Sequence, residues 1–185
     1  MPAFYAAAVP EFLTHEEDLI VGRQTGVTRI ELPAEQLEAW REQLRILRTA
    51  LSSDSASDWY LLLEYPIPRR GKRIDAVVLA HDVILVLEFK CGARKYEREA
   101  RIQVEDYCLD LRDFHAESRG RVLVPFLVAT NATKELPPSH EPTDWVAPVW
   151  LANASSLPHL MEKAVFQYRD CAAAPIDFER WNRAE

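Results

Sequence analysis

RIDAVVLAHDVILVLEFK, residues Arg73–Lys90, is the stretch whose reading decides the fold. Two aliphatic runs, Arg73–Ala80 and Val83–Lys90, flank His81 and Asp82, which is the pattern of a tight antiparallel hairpin even without an Asn-Gly turn. If Ala80 pairs with Val83, Asp75 falls opposite Glu88 and Arg73 opposite Lys90. Side chains alternate with period two, so Arg73, Asp75, Glu88 and Lys90 share one face with Val77, Leu79, Ile84 and Val86. The other face carries Ile74, Ala76, Val78, Leu85, Leu87 and Phe89. Both faces are apolar, so the hairpin reads as central and covered on both sides.

Four charges at one end of a covered sheet are costly without compensation. One reading is a cross-strand salt-bridge cluster with Asp75–Lys90 and Arg73–Glu88 as diagonals. The other is a cation site. Opposed residues have Cβ atoms about 4.5–5.5 Å apart, and two carboxylates that close repel unless a cation joins them. Mg²⁺ accepts one or two carboxylates plus waters and phosphates. The weight falls on the cation.

Outward from the hairpin, Trp59–Tyr65 reads as a strand, joined to it by the loop Pro66–Lys72. Before it, Leu37, Trp40, Leu44, Leu47 and Leu51 recur at helical spacing from Pro33 on. Thr14 and Glu17 have the spacing of a capping box, opening a short helix that ends near Gly22–Gly26. After the hairpin, Tyr96, Ala100, Val104, Tyr107, Leu111 and Phe114 mark a helix over about Arg94–Ser118, stopped by Gly120. Arg121–Thr130 is a buried-type strand interrupted by Pro125, Trp145–Leu151 a last strand and Leu157–Arg169 a last helix. The order predicts an α/β fold with a mixed central sheet between helices. The expected organisation is one domain over 1–185, with a core at 34–130 and a C-terminal extension at 131–185.

Composition sets the frame. The chain has 185 residues, 48% hydrophobic and 28% charged, enough for a single core without staples. Disorder and a membrane span are excluded, because the longest apolar runs fall far short of about 20 residues. The N-terminus lacks a signal-peptide pattern. Cys91, Cys108 and Cys171 are too few and too scattered for a zinc site and read as packing residues in a reducing, cytoplasmic setting. Net charge is −7, yet Arg69–Arg101 holds nine cations against five carboxylates. That local basic zone suits a polyanion; the bland reading is solvated surface.

Asp75, then Glu88-Phe89-Lys90 after a turn, on the order helix–three strands–helix–strand, resembles the PD-(D/E)XK nuclease superfamily. Ile74 stands where its literal proline would be. Gln103 and Tyr107, one helical turn apart, resemble the QxxxY motif of the RecB- and Cas4-like branch. The resemblance covers about Leu37–Thr130. It looks closest to the nuclease-like N-terminal domain of bacterial Schlafen-related helicase proteins. No P-loop motif occurs, so the chain reads as a domain excised from a longer helicase protein or as a stand-alone relative.

The resemblance implies a restriction-endonuclease-like αβββαβ core and a Mg²⁺- or Mn²⁺-dependent nuclease acting on nucleic acid, DNA ahead of RNA. It is placed with defence or repair by association alone. It implies that Asp75, Glu88 and the Phe89 carbonyl hold the metal, with Glu64 the best substitute for a missing helix ligand. Lys90 would position water and stabilise charge, and Gln103 and Tyr107 would hold Lys90 or the substrate. Arg69, Arg70, Lys72, Arg73, Arg94, Lys95 and Arg98 would bind nucleic acid, with a helicase domain of the same protein as a partner. The alternative is a catalytically weak nuclease-like module that binds nucleic acid or a partner for an attached helicase. A Ser or Cys hydrolase fits poorly: GxSxG is absent, Cys91 has no evident His partner, and His115 with Ser118 reads as helix-end surface.

Overall fold

The hairpin is the centre of a six-stranded sheet whose strands lie in sequential order. The computed structural model describes residues 3–27, 34–67, 71–133, 138 and 141–184, with backbone alone at 23–27. β1 (Tyr5–Ala8), β2 (Tyr60–Pro66), β3 (Arg73–Ala80) and β4 (Val83–Lys90) are successively antiparallel. β5 (Val122–Ala129) is parallel to β4, and β6 (Trp150–Ala152) is parallel to β5. A parallel neighbour needs a crossover. For β4 and β5 that crossover is the helix α4 (Arg98–Phe114).

The remaining helices are α1 (Val9–Thr14), α2 (Glu17–Val27), α3 (Ala34–Ala50), α5 (Leu157–Tyr168) and α6 (Phe178–Arg183). The expected αβββαβ order is present as α3, β2, β3, β4, α4 and β5, an arrangement consistent with a restriction-endonuclease-like fold. On one face Phe12, Ile20, Leu44, Leu47, Leu160 and Met161 cover Ala76, Val78, Leu85 and Leu87. On the other, Val104, Tyr107, Leu111 and Trp181 cover Val77, Ile84, Val86 and Leu127. Both faces are therefore buried, as the two-sided apolar pattern of the hairpin demands.

Several local expectations change. Thr14 closes α1 rather than opening α2: its hydroxyl donates to the Glu11 carbonyl at 2.8 Å. The helix expected from Arg94 begins at Arg98, and Phe114 is 49% exposed because the helix ends there and His115 takes the buried place. His115 is not surface. It is fully buried, and its ring nitrogens meet the Ser118 hydroxyl at 2.8 Å and the Trp181 carbonyl at 3.0 Å. Cys108 is buried and Cys91 partly so, but Cys171 is exposed rather than a core residue. The Trp145–Leu151 strand shortens to Trp150–Ala152, and FERWNRAE supplies α6.

Pro125 does not interrupt β5. The Leu123 N–H and C=O both bond toward residues 145–147, so Pro125, two residues on, faces the same side. That places its missing donor between this segment and β6, where no ladder bond is needed.

Candidate active site

The acidic end of the hairpin departs from ideal pairing. The β3–β4 ladder runs from Ala80↔Val83 to Ala76↔Leu87 and stops there, so the expected Asp75–Glu88 and Arg73–Lys90 pairs are not formed. The Asp75 carboxylate instead accepts the Phe89 backbone N–H at 2.7 Å. The side chain occupies a donor that a strand carbonyl would have used.

The adjacent pair fails too. β2 and β3 are in register at Leu63↔Ala76 and again at Tyr65↔Ile74, but Glu64 and Asp75 between them do not pair. Glu64 has φ of 51°, a left-handed conformation that costs a non-glycine residue free energy. The consequence is a change of face. Leu63 and Ala76 pack on the α3/α5 side, whereas Tyr65 and Ile74 both pack on the α4/α6 side. Ile74 was expected with Ala76 and Val78. The break in the pleat moves it across the sheet and opens a gap in the ladder at the two acids.

Glu88 is on the regular strand and is only 4% exposed. Its Oε1 accepts the Lys90 ammonium at 2.8 Å and the Gln103 amide at 3.0 Å. Gln103 also donates to the Tyr107 hydroxyl at 2.6 Å, and its oxygen accepts from Lys90 at 3.3 Å. The i and i+4 positions of α4 thus close a network over the end of β4. Glu88 Oε2 is buried and has no hydrogen-bond partner among the described residues. Buried carboxylate oxygens are almost always bonded; Asp82 Oδ1 is in the same condition, but Glu88 belongs to a carboxylate whose charge acts on a second one, Asp75.

The electrostatics agree. Burial raises the Asp75 pKa well above the ordinary carboxylate range, with Glu88 adding repulsion and the Phe89 N–H opposing it. Burial likewise raises Glu88, against the Lys90 and Gln103 hydrogen bonds that lower it. Glu64 is raised by burial, with Arg73 and a Trp40 hydrogen bond opposing. Glu64 and Glu88 each add to the repulsion that Asp75 feels, so the three carboxylates form one cluster electrically.

Among the described residues no three of His, Cys, Asp and Glu converge into a ready-made metal cage. The donor set still fits a hard cation, because Mg²⁺ takes one or two carboxylates and keeps its waters. Asp75 and Glu88, one of them with a free buried oxygen, meet that requirement.

The salt-bridge diagonals do not form. Lys90 pairs with Glu88 on its own strand, and Arg73 lies over the Phe4 ring with its guanidinium carbon 3.8 Å from the centroid. Lys72 is exposed and its charge lowers the Glu88 pKa. Arg94, Lys95 and Arg98 are exposed on the β4–α4 connection and the first turn of α4. Arg69 and Arg70 lie outside the described residues. The Cys91 thiol is pushed up to about 12, by burial first and then by Glu42 and Asp75, which rules out an activated thiolate there.

Two participants escaped the sequence reading. Trp40 counted only as a core stripe residue, yet it hydrogen-bonds Glu64. Phe4 lies in a stretch to which the sequence reading assigned neither an element nor a role, and β1 beside it was not expected.

No family model and no curated protein matches the chain. Among solved structures, a repair endonuclease from Pyrococcus abyssi is similar at 26% identity, over 57% of this chain and 40% of that one, with a TM-score of 0.35. The chain spans less than half the length of that protein.

Proposed function

We propose that this protein is a metal-dependent nuclease of the PD-(D/E)XK type that hydrolyses phosphodiester bonds, DNA ahead of RNA. The observation that carries the reading is the Glu88 carboxylate: buried, tied to Lys90 and Gln103 through one oxygen, unpartnered at the other, and beside Asp75. Asp75, Glu88 and the Phe89 carbonyl would hold Mg²⁺ or Mn²⁺, with Glu64 behind them. The bound ion would polarise the scissile phosphate and lower the pKa of water.

The chain's own groups do the rest. Lys90 sits 2.8 Å from Glu88 with its side chain 38% exposed, so its ammonium reaches both the carboxylates and an incoming phosphate. It would orient the attacking water and stabilise the negative charge that gathers on the phosphoryl oxygens. Gln103 fixes Lys90 and Glu88 relative to one another, and Tyr107 fixes Gln103. Attack by water breaks one P–O bond, leaving a phosphomonoester on one fragment and a hydroxyl on the other. Lys72, Arg73, Arg94, Lys95 and Arg98 would meet the polyanion, and contacts to phosphate position it without reading sequence. A helicase domain of the same protein is the proposed partner.

The test is cleavage of labelled single- and double-stranded DNA and RNA in Mg²⁺, Mn²⁺ or EDTA, beside Asp75→Ala and Lys90→Ala. Metal-dependent cleavage lost in both variants supports the reading. Cleavage retained in purified Lys90→Ala sinks it. A folded protein that shifts DNA in a gel and cuts nothing favours the binding module.

A further inference from the structure

β1 pairs with β2 and β2 with β3, and the β2–β3 ladder breaks at Glu64 and Asp75. Phe4 stands just before β1, and Arg73 opens β3 paired with Pro66, beyond that break.

Arg73, two residues before Asp75, is exposed, and its guanidinium lies on the Phe4 ring at 3.8 Å. Its charge also acts on Glu64, so the stacked pair stands beside the carboxylates. A guanidinium is planar, weakly hydrated and able to stack on a second π-face. Held against an aromatic ring it has lost most of its rotamer freedom before any ligand arrives. Charge alone would give Arg73 a phosphate contact, and a phosphate contact needs no ring beneath it.

We propose that Arg73 and Phe4 form a stacking platform for an unpaired nucleobase next to the scissile phosphate, so that the substrate is single-stranded at the site. The inference rests on the nuclease reading above. Duplex bases stack on each other and offer their faces only at ends or gaps, whereas single strands give them freely to aromatic and guanidinium planes. Lys72, exposed and adjacent in sequence, would take a backbone phosphate while the platform takes the base. Oligo-dT and oligo-rU share this chemistry, and separate arms of the experiment distinguish them.

The experiment is equilibrium binding in EDTA, so that nothing is cut. The probes are fluorescent oligo-dT, oligo-rU, a blunt DNA hairpin and an abasic oligodeoxynucleotide of equal length. The proteins are the wild type, Arg73→Lys and Phe4→Leu, each checked for an unchanged melting temperature. Arg73→Lys keeps the charge and removes the plane. It is expected to lose about tenfold in affinity for oligo-dT or oligo-rU, within the range base stacking is worth, and less than twofold for the abasic strand. Phe4→Leu should weaken the same probes in the same order. Equal loss on abasic and base-bearing strands, or no loss on either, overturns the platform. If oligonucleotides bind and the substitutions do nothing, the platform alone fails. If the wild type binds none of the four probes, the nucleic-acid reading fails with it.

Discussion

Two buried polar clusters sit on the α4/α6 side of the sheet, and they are built on opposite plans. The first joins His115, Ser118 and Trp181. The imidazole meets a hydroxyl and a carbonyl, the indole N–H donates to the same hydroxyl at 3.1 Å, and Tyr65 packs on both rings. The second joins Asp75, Glu88, Lys90, Gln103 and Tyr107, and leaves Glu88 Oε2 without a partner among the described residues. A cluster that serves only to hold the chain together satisfies its polar atoms, because an orphan costs about 1–3 kcal/mol. A cluster that must bind something keeps a lone pair in reserve. The same end of the sheet carries the left-handed Glu64 and the broken pleat, so strain and unmet bonding coincide at the carboxylates, while the next residue, Tyr65, packs on the satisfied His115 ring.

The contrast can be broken at either cluster. At the acidic one, Lys90→Ala should lower the single-turnover cleavage rate by at least about a hundredfold, the scale on which one charge-stabilising group acts. Circular dichroism should stay near wild type, while melting falls at neutral pH because buried Glu88 loses its cation; the rate is therefore compared on protein shown to be folded. At the aromatic cluster, Trp181→Ala should do the reverse. It removes a fully buried indole and should cost about 3–5 kcal/mol by denaturant unfolding, with residual folded protein still cutting.

His115 gives the aromatic cluster a pH signature of its own. Burial lowers its pKa to about 4, from an ordinary 6.5. The folded chain therefore holds the imidazole neutral where the unfolded chain binds a proton. This contribution is complete above about pH 6.5 and is lost as pH falls from there to about 4, a swing of about 3 kcal/mol. Urea unfolding of the wild type beside His115→Gln should show that slope in the first and not the second. A slope that survives the substitution removes His115 as its source.

The hairpin was legible because its two apolar runs admit one pairing that buries both faces, and Ala80↔Val83 formed as the sequence implied. The Leu37–Leu51 and Tyr96–Leu111 stripes were legible for the same reason, since period decides burial. What periodicity does not carry is the place where it fails. Ile74 and Tyr65 obey alternation on paper and cross the sheet in the fold, because the Asp75 side chain takes the Phe89 N–H and Glu64 turns left-handed. Of the residues named for the site, Asp75, Glu88 and Lys90 came from the spacing of the hairpin, and Gln103 and Tyr107 from their resemblance to a family motif. Trp40 and Phe4 arrive from elements remote in sequence, and no spacing rule links them to Glu64. His115 was misplaced for a related reason: a helix end looks exposed until α6, more than 60 residues on, closes over it.

The smallest effect tests the comparison most finely. Burial raises the Asp75 and Glu88 pKa values, with repulsion from Glu88 adding at Asp75, so the folded chain holds protons that the unfolded chain has released. Stability from this source is full below the ordinary carboxylate range and is lost as pH rises through the raised values, opposite in sign to His115. At neutral pH the apo cluster is therefore a net cost. Asp75→Asn removes one charge and keeps an oxygen to accept the Phe89 N–H, so it should raise stability by about 1 kcal/mol, or about 2–4 °C in Tm. The gain should be present at pH 8 and shrink toward pH 4. Mn²⁺ should stabilise the wild type, because a ligand that binds only the folded state adds its binding free energy, and it should do little for Asp75→Asn. A variant that is less stable than wild type at pH 8 would mean the carboxylate is bonded for structure like His115, and the distinction between the two clusters would be gone.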